Sequence, residues 1–218
     1  MTATVRIDMV TDTTCPWSAI ALFSLLRARS TLKDVQVQVH LQPLELHPAL
    51  EAAGVERTPY LQQQMPFRSR TQPCWADIRL HGMAVGLDMG TDEPARLYNT
   101  LDAHRLLQWA DLHGREVQLE LAQKLILAYF SQGADISNHQ VLADQAAAVG
   151  LSRTQALAYL AGQEDAQAVR EAESFYRGMG IVTVPTFIFN HRQLLRGNQT
   201  PESFARALQH VAAASTTL

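Results

Sequence analysis

The sequence predicts an α/β fold in which an all-helical block interrupts a small sheet domain. Two observations predict it. Strand and helix patterns alternate over residues 4–41 and return after Gly180. From residue 59 to about 176, strand patterns are missing and Leu, Ala and Gln dominate. The split sheet makes residues 1–58 plus 181–218 one domain and 59–180 its helical insert.

Residues 4–10 form a short apolar run and read as a buried strand. Residues 16–30 read as a helix, because Leu22, Leu25 and Leu26 repeat on one face. Residues 35–41 alternate apolar and polar, the period of a strand, and Pro43 and Pro48 end it. Such a β-α-β crossover predicts parallel strands with the helix packed on the sheet. Inside the block, helices are expected at 97–112, 116–130, 138–149, 154–161 and 165–178, with Gly114, Gly133, Gly150, Gly162 and Gly180 at their ends. Residues 184–189 are β-rich, 190–192 form a turn and 193–196 a short partner strand. Thr200-Pro201-Glu202 opens a last helix to about residue 213, with Pro201 in its first turn. The tail at 215–218 is expected to fray. The order β-α-β, helical block, β-β-α is a thioredoxin-like layout with an insertion.

The bulk properties exclude several functions. The chain has 218 residues, 47% hydrophobic and 18% charged, as suits a globular protein. A net charge of -3 gives no attraction for nucleic acid or acidic membranes. No apolar run reaches the ~18 residues of a membrane span. The histidines are scattered and no Cys-x-x-Cys or His-x-x-x-His spacing occurs, so no metal site is expected. Two cysteines, Cys15 and Cys74, make no disulfide framework, and no leader pattern follows Met1. The expected setting is reducing and cytoplasmic.

The chemistry concentrates in Cys15-Pro16-Trp17-Ser18, between the first strand and the first helix. It has the form of a Cys-Pro-x-Cys redox motif whose second cysteine has become serine. Free N–H groups and the dipole at a helix start favour a thiolate, and Pro16 fits the first helical position. Asp12 opposes the shift, and no Lys or Arg stands near in sequence. The expectation is a nucleophilic Cys15, partly thiolate at neutral pH, set against a buried and inert thiol. Ser18, one turn on, either donates its hydroxyl to the sulfur or is a neutral remnant of a lost cysteine. Pro16 and Trp17 are expected beside the substrate, Trp17 as an apolar lip, set against simple packing. Val184-Pro185 is a candidate cis bond, set against an ordinary trans proline opening a strand. Cys74, at a helix start, is expected as a partly buried structural thiol, set against a thiol that resolves a mixed disulfide on Cys15. Asn99 and His104 either line the cleft between the domains or pack and cap their helix. His47 carries less, and Asp135 is expected to cap a turn.

Taken in order, these residues resemble the DsbA-like thioredoxin superfamily, and within it the FrnE-like branch. Asp12-Thr13-Thr14-Cys15-Pro16-Trp17, Pro43-Leu44-Glu45-Leu46-His47-Pro48, Asn99-Thr100-Leu101-Asp102-Ala103-His104-Arg105-Leu106, Ala128-Tyr129-Phe130 through Gly133 to Ile136, and Val184-Pro185-Thr186-Phe187 are each similar to a segment of that branch. The resemblance implies that Pro185 is a cis-proline facing Cys15, and that the backbone of Val184 pairs with an extended peptide or with glutathione. Ser18 departs from the branch, which has cysteine there. The departure moves the chain toward monothiol, glutathione-using reductases and toward the kappa-class glutathione transferases and 2-hydroxychromene-2-carboxylate isomerases. Those last two place serine at the position of Cys15, where this chain keeps the thiol.

The resulting expectation is a thiol-disulfide oxidoreductase acting through Cys15 by a monothiol mechanism. No tightly bound cofactor is expected; glutathione is the expected co-substrate, and a protein or small-molecule thiol or disulfide the partner. The helical block offers surfaces for a homodimer. Two other functions stay open: a glutathione-dependent isomerase or transferase, and a thioredoxin-like binding or chaperone module that has lost turnover.

Overall fold

The computed structural model describes residues 3–51, 53–64 and 74–215. Its main sheet has four strands in the order β2-β1-β5-β6. Strand β1 (Ala3–Thr11) pairs in parallel with β2 (Val35–Pro43), from Ala3 opposite Val35 to Thr11 opposite Pro43. The connecting helix α1 (Pro16–Thr31) makes this the expected crossover. On its other side β1 pairs antiparallel with β5 (Thr186–Phe189), which turns into β6 (Gln193–Arg196). The turn holds Asn190 and His191 at φ of 46° and 57°, left-handed values that suit a tight hairpin.

The period of two in β1 and β2 divides the sheet's faces. Val5, Ile7 and Met9, with Val37 and Val39, point into the main core, against Leu22 and Leu25 of α1 and Phe204 and Leu208 of α9 (Pro201–Ser215). Fully burying side chains of this size contributes roughly 1.5–3 kcal/mol each. Val10 and Ile188 point the other way, into a smaller cluster with Leu44, Tyr176 and Ile181. Helix α1 is apolar on most sides because α9, α3 (Trp75–Ala84) and α5 (Arg115–Gln132) all pack on it. Arg29 in its last turn, favourably placed for the helix dipole, forks onto Glu116 of α5 with two bonds of 2.8 Å.

The helical segment also contains α2 (Arg57–Gln64), α4 (Leu101–Asp111), α6 (His139–Ala147), α7 (Arg153–Ala161) and α8 (Ala166–Gly178). Leu106, Leu107, Leu119, Leu121, Leu125 and Leu142 join the same core as the sheet. One expectation fails here. Residue 97 does not begin a helix: Arg96–Leu97 is a short strand, β4, paired antiparallel with β3 (Val55–Glu56). Helix α4 starts only at Leu101, because the Asn99 side-chain oxygen takes the Leu101 N–H at 2.9 Å and holds the chain in a turn. So the block is not free of strands, and the β3–β4 ladder straddles the boundary placed at residue 59. Helix α9 runs to Ser215; the rest of the tail, 216–218, lies outside the described residues, as do Gln72 and Pro73 before Cys74.

Candidate active site

Strand β1 hands the chain to a buried turn, Asp12-Thr13-Thr14, which leads into α1. Asp12 ties it. Its Oδ1 accepts from the N–H and the hydroxyl of Thr14, each at 3.0 Å, and its Oδ2 accepts the Leu46 N–H at 2.7 Å. The Asp12 carbonyl accepts the Cys15 N–H at 3.1 Å. Cys15 is thereby fixed as the N-cap of α1, with Pro16 next, and its side chain caps nothing. The sulfur stays available for chemistry.

Cys15 is 5% exposed, and its sulfur lies 3.8 Å from the Val184 carbonyl oxygen, to which it donates. The Val184–Pro185 bond is cis. The structure thus brings together the two segments singled out in the sequence, 169 residues apart. Ser18 is also buried. Its hydroxyl lies close enough to lower the Cys15 pKa, yet makes no aligned bond to any described residue.

The expected thiolate does not follow from these surroundings. Burial pushes the Cys15 thiol above its usual value, outweighing the downward pull of the Ser18 hydroxyl and of the Ser18 and Trp17 N–H groups. Asp12 adds to the upward shift. The helix start does act in the expected direction, but desolvation of the anion is larger. Cys15 rests as a thiol.

Beside Cys15 opens a cavity of about 150 Å³. Thr14, Cys15, Pro16, Trp17, Leu46 and His47 line it from the Cys15 turn and the loop after β2, and Arg57, Leu61, Ile78, Glu93 and Leu97 line it from farther along the chain. Trp17 is half-buried, lines this cavity and also packs edge to face on His81 of α3, ring centroids 5.5 Å apart. Arg57 is held by Glu93, Nε to Oε1 at 2.7 Å, and by the buried Tyr129 hydroxyl at 3.4 Å. The second set of lining residues escaped the sequence reading. Arg57, Glu93 and Leu97 converge only because β3 and β4 pair, and no local pattern announces two-residue strands.

Behind the turn, away from the cavity, sits a second titratable group. Glu45 and Glu173 are buried, and the Glu45 N–H donates to Glu173 Oε1. Burial, Glu173 and Asp12 push the Glu45 carboxyl up to about 7. The same burial raises Glu173. His104 is buried too, its pKa lowered by desolvation against an upward pull from Asp12, and its Nε2 has no partner among the described residues. His104 and Asn99 do not line the cavity. Asn99 instead clamps the loop after β2, donating to the Leu50 carbonyl at 3.0 Å. Cys74 is not the partly buried thiol expected: it caps α3, stands exposed and donates to Asp77 at 3.2 Å. It is absent from the cavity walls. Asp135 does cap its turn, accepting the Ser137 N–H at 2.9 Å. Among the described residues no cluster of His, Cys, Asp and Glu suits a metal ion, and no helix is long and apolar enough to cross a membrane.

Known proteins share this architecture. A family model described as a DSBA-like thioredoxin domain matches residues 6–209. A probable DsbA oxidoreductase from Streptomyces coelicolor superposes with a TM-score of 0.83 at 23% identity, over 95% of this chain and 89% of that one. A 2-hydroxychromene-2-carboxylate isomerase gives 0.73 at 14% identity, over 97% and 98%. The cytosolic disulfide reductase DsbM from Pseudomonas aeruginosa, solved with GSH, gives 0.54 at 17% identity, over 97% and 98%. At these identities the likeness is one of fold. No curated protein matches the sequence.

Proposed function

Because the chain belongs to the DSBA-like thioredoxin domain family, we propose that it is a thiol-disulfide oxidoreductase that works through Cys15 alone, with glutathione as co-substrate, in the cytoplasm. One observation carries the reading. The Cys15 sulfur stands between the Val184 carbonyl and an open cavity, with Ser18 where a second thiol would stand.

The chemistry takes two exchanges. Cys15 attacks one sulfur of a disulfide; that S–S bond breaks, a Cys15–sulfur bond forms, and the other half leaves as a thiolate that takes up the Cys15 proton. A glutathione thiolate then attacks the mixed disulfide, forming a new disulfide and returning Cys15. The Trp17 and Ser18 N–H groups and the Ser18 hydroxyl favour the anion while it is exposed. Ser18 cannot close a disulfide, so the mixed disulfide waits for an external thiol. Val184, beside the sulfur, offers backbone for an extended substrate segment, and Trp17 a lip.

A second reading has its own support. A buried Cys15 held as the thiol suits hydrogen-bonding the sulfur of glutathione, whereas attack on a disulfide needs the thiolate; such a hold would serve an isomerase or transferase. Incubation with oxidised glutathione, followed by mass spectrometry, separates the two. One glutathione adduct on Cys15, retained in C74S and lost in C15S, is the outcome expected. Saturable glutathione binding with no adduct would replace the first reading by the second.

A further inference from the structure

The cavity beside Cys15 pairs opposite charges in its lining. Arg57 is 8% exposed and carries five N–H donors in a planar fork. Two of its nitrogens are engaged, Nε by Glu93 and Nη1 by Tyr129. Nη2 makes no bond to a described residue. The mount is rigid: the Arg57 N–H donates to the Ala95 carbonyl at 2.9 Å, and the Tyr129 hydroxyl that braces its side chain donates to the Arg96 carbonyl at 2.8 Å. Glu93 is different. Its side chain is 41% exposed, and only Oε1 is taken by Arg57. A cation with one donor and an anion with one acceptor that no described residue takes thus stand side by side, lining the same small cavity as a thiol. A free carboxylate alone would meet Glu93, and a free amine alone would meet Arg57. A group carrying both charges on neighbouring atoms satisfies both.

We propose that this cavity recognises the α-amino carboxylate end of an amino-acid-derived thiol or disulfide, Arg57 Nη2 holding the carboxylate and Glu93 Oε2 the ammonium. The sulfur of such a substrate is thereby aimed at Cys15. The proposal rests on the monothiol reading and names the substrate class it serves. Arg57 and Glu93 are specificity-determining residues here.

The test compares four disulfides of different end charge: cystine (both charges), 3,3′-dithiodipropionate (anion only), cystamine (cation only) and 2-hydroxyethyl disulfide (neutral). The readout is the rate of the Cys15 adduct by mass spectrometry. The wild type is expected to prefer cystine by about tenfold or more, the scale of one charge-assisted hydrogen bond. R57Q should lose that preference and slow on cystine, with the neutral disulfide within about twofold of wild type. E93Q should slow cystine and cystamine and spare the neutral disulfide. Equal slowing of all four disulfides in both variants, or a wild type indifferent to end charge, overturns the proposal. R57K and E93Q carry the test if R57Q fails to fold. Calorimetry with S-methylcysteine, which cannot exchange disulfides, separates the two readings. Binding lost in R57Q in a protein that forms no adduct sinks the redox reading and keeps this site. Adducts without end-charge preference or S-methylcysteine binding do the reverse.

Discussion

The two sides of the Cys15 turn differ in how they treat charge. On the cavity side, charge is presented: Arg57 and Glu93 line the cavity, each with hydrogen-bonding capacity that no described residue takes. On the inner side it is enclosed: Asp12, Glu45, Glu173 and His104 are buried, and Asp12 spends both oxygens on the backbone and side chain of its own turn and on Leu46. The difference assigns separate tasks. On the proposal made above the outer side selects what approaches the sulfur, while on the inner side Asp12 ties the turn that carries the sulfur and opposes its ionisation. Changes on the inner side should therefore act on stability and on the thiol pKa, and changes on the outer side on substrate preference.

The sharpest way to break this division is D12N. Asparagine has one acceptor oxygen where Asp12 serves Thr14 and Leu46 with two, so a buried donor is left unpaired. We expect a loss of about 3 kcal/mol or more in urea unfolding, and an iodoacetamide rate profile for Cys15 moved to lower pH, since a negative neighbour is gone. A stable D12N with an unmoved profile would erase the distinction.

Next comes the pH dependence of stability. Glu45 rises from an ordinary 4.5 to about 7 on folding. The folded state then binds the proton more tightly than the unfolded state. Its contribution is present in full below about 4.5 and is lost as pH climbs through about 7, roughly 3 kcal/mol in all. Unfolding free energies at pH 5 and pH 8 should show this drop in the wild type and a flatter profile in E45Q. Equal slopes for the two proteins would remove Glu45 from the enclosed group.

Smaller, and of opposite sign in its two readouts, is S18A. The Ser18 hydroxyl lowers the Cys15 pKa while its own oxygen has no aligned partner among the described residues. Removing it should slow alkylation at pH 7 by about three- to tenfold, and leave stability unchanged or better by up to about 1 kcal/mol. A loss of stability would show that the hydroxyl is bonded after all. H81A should have the least effect. Losing the edge-to-face contact with Trp17 costs about 0.5–1 kcal/mol, read as a small shift in thermal midpoint.

How far the sequence could be read depends on the distance over which each feature is built. The β-α-β unit and its Cys15 turn are local: alternation in 35–41, apolar periodicity after Pro16, and a proline at the first helical position each act within a few residues. The hairpin after Val184 is equally local. The rest of the cavity lining is not, since a two-residue ladder brings Arg57 and Glu93 together from either side of more than thirty residues. Asn99 shows a different obstacle. Its amide suits a cleft or a loop clamp equally well in sequence, and only the Leu50 carbonyl decides. For the thiol pKa, the sign itself was missed, because motif spacing reports the helix start but not the depth of burial that outweighs it.

The second cysteine has a practical consequence. Cys74 stands in solvent at the start of α3, while Cys15 is 5% exposed and reached only through its cavity. A bulky thiol reagent added to the native protein will mark the exposed position in a fast phase and the enclosed one in a slow phase. The fast phase reports how much active reagent is in the tube; the slow phase reports how readily the cavity admits it to Cys15. Each molecule thus carries its own reference electrode and its own gauge, and a labelling time course on the unmodified chain yields both at once.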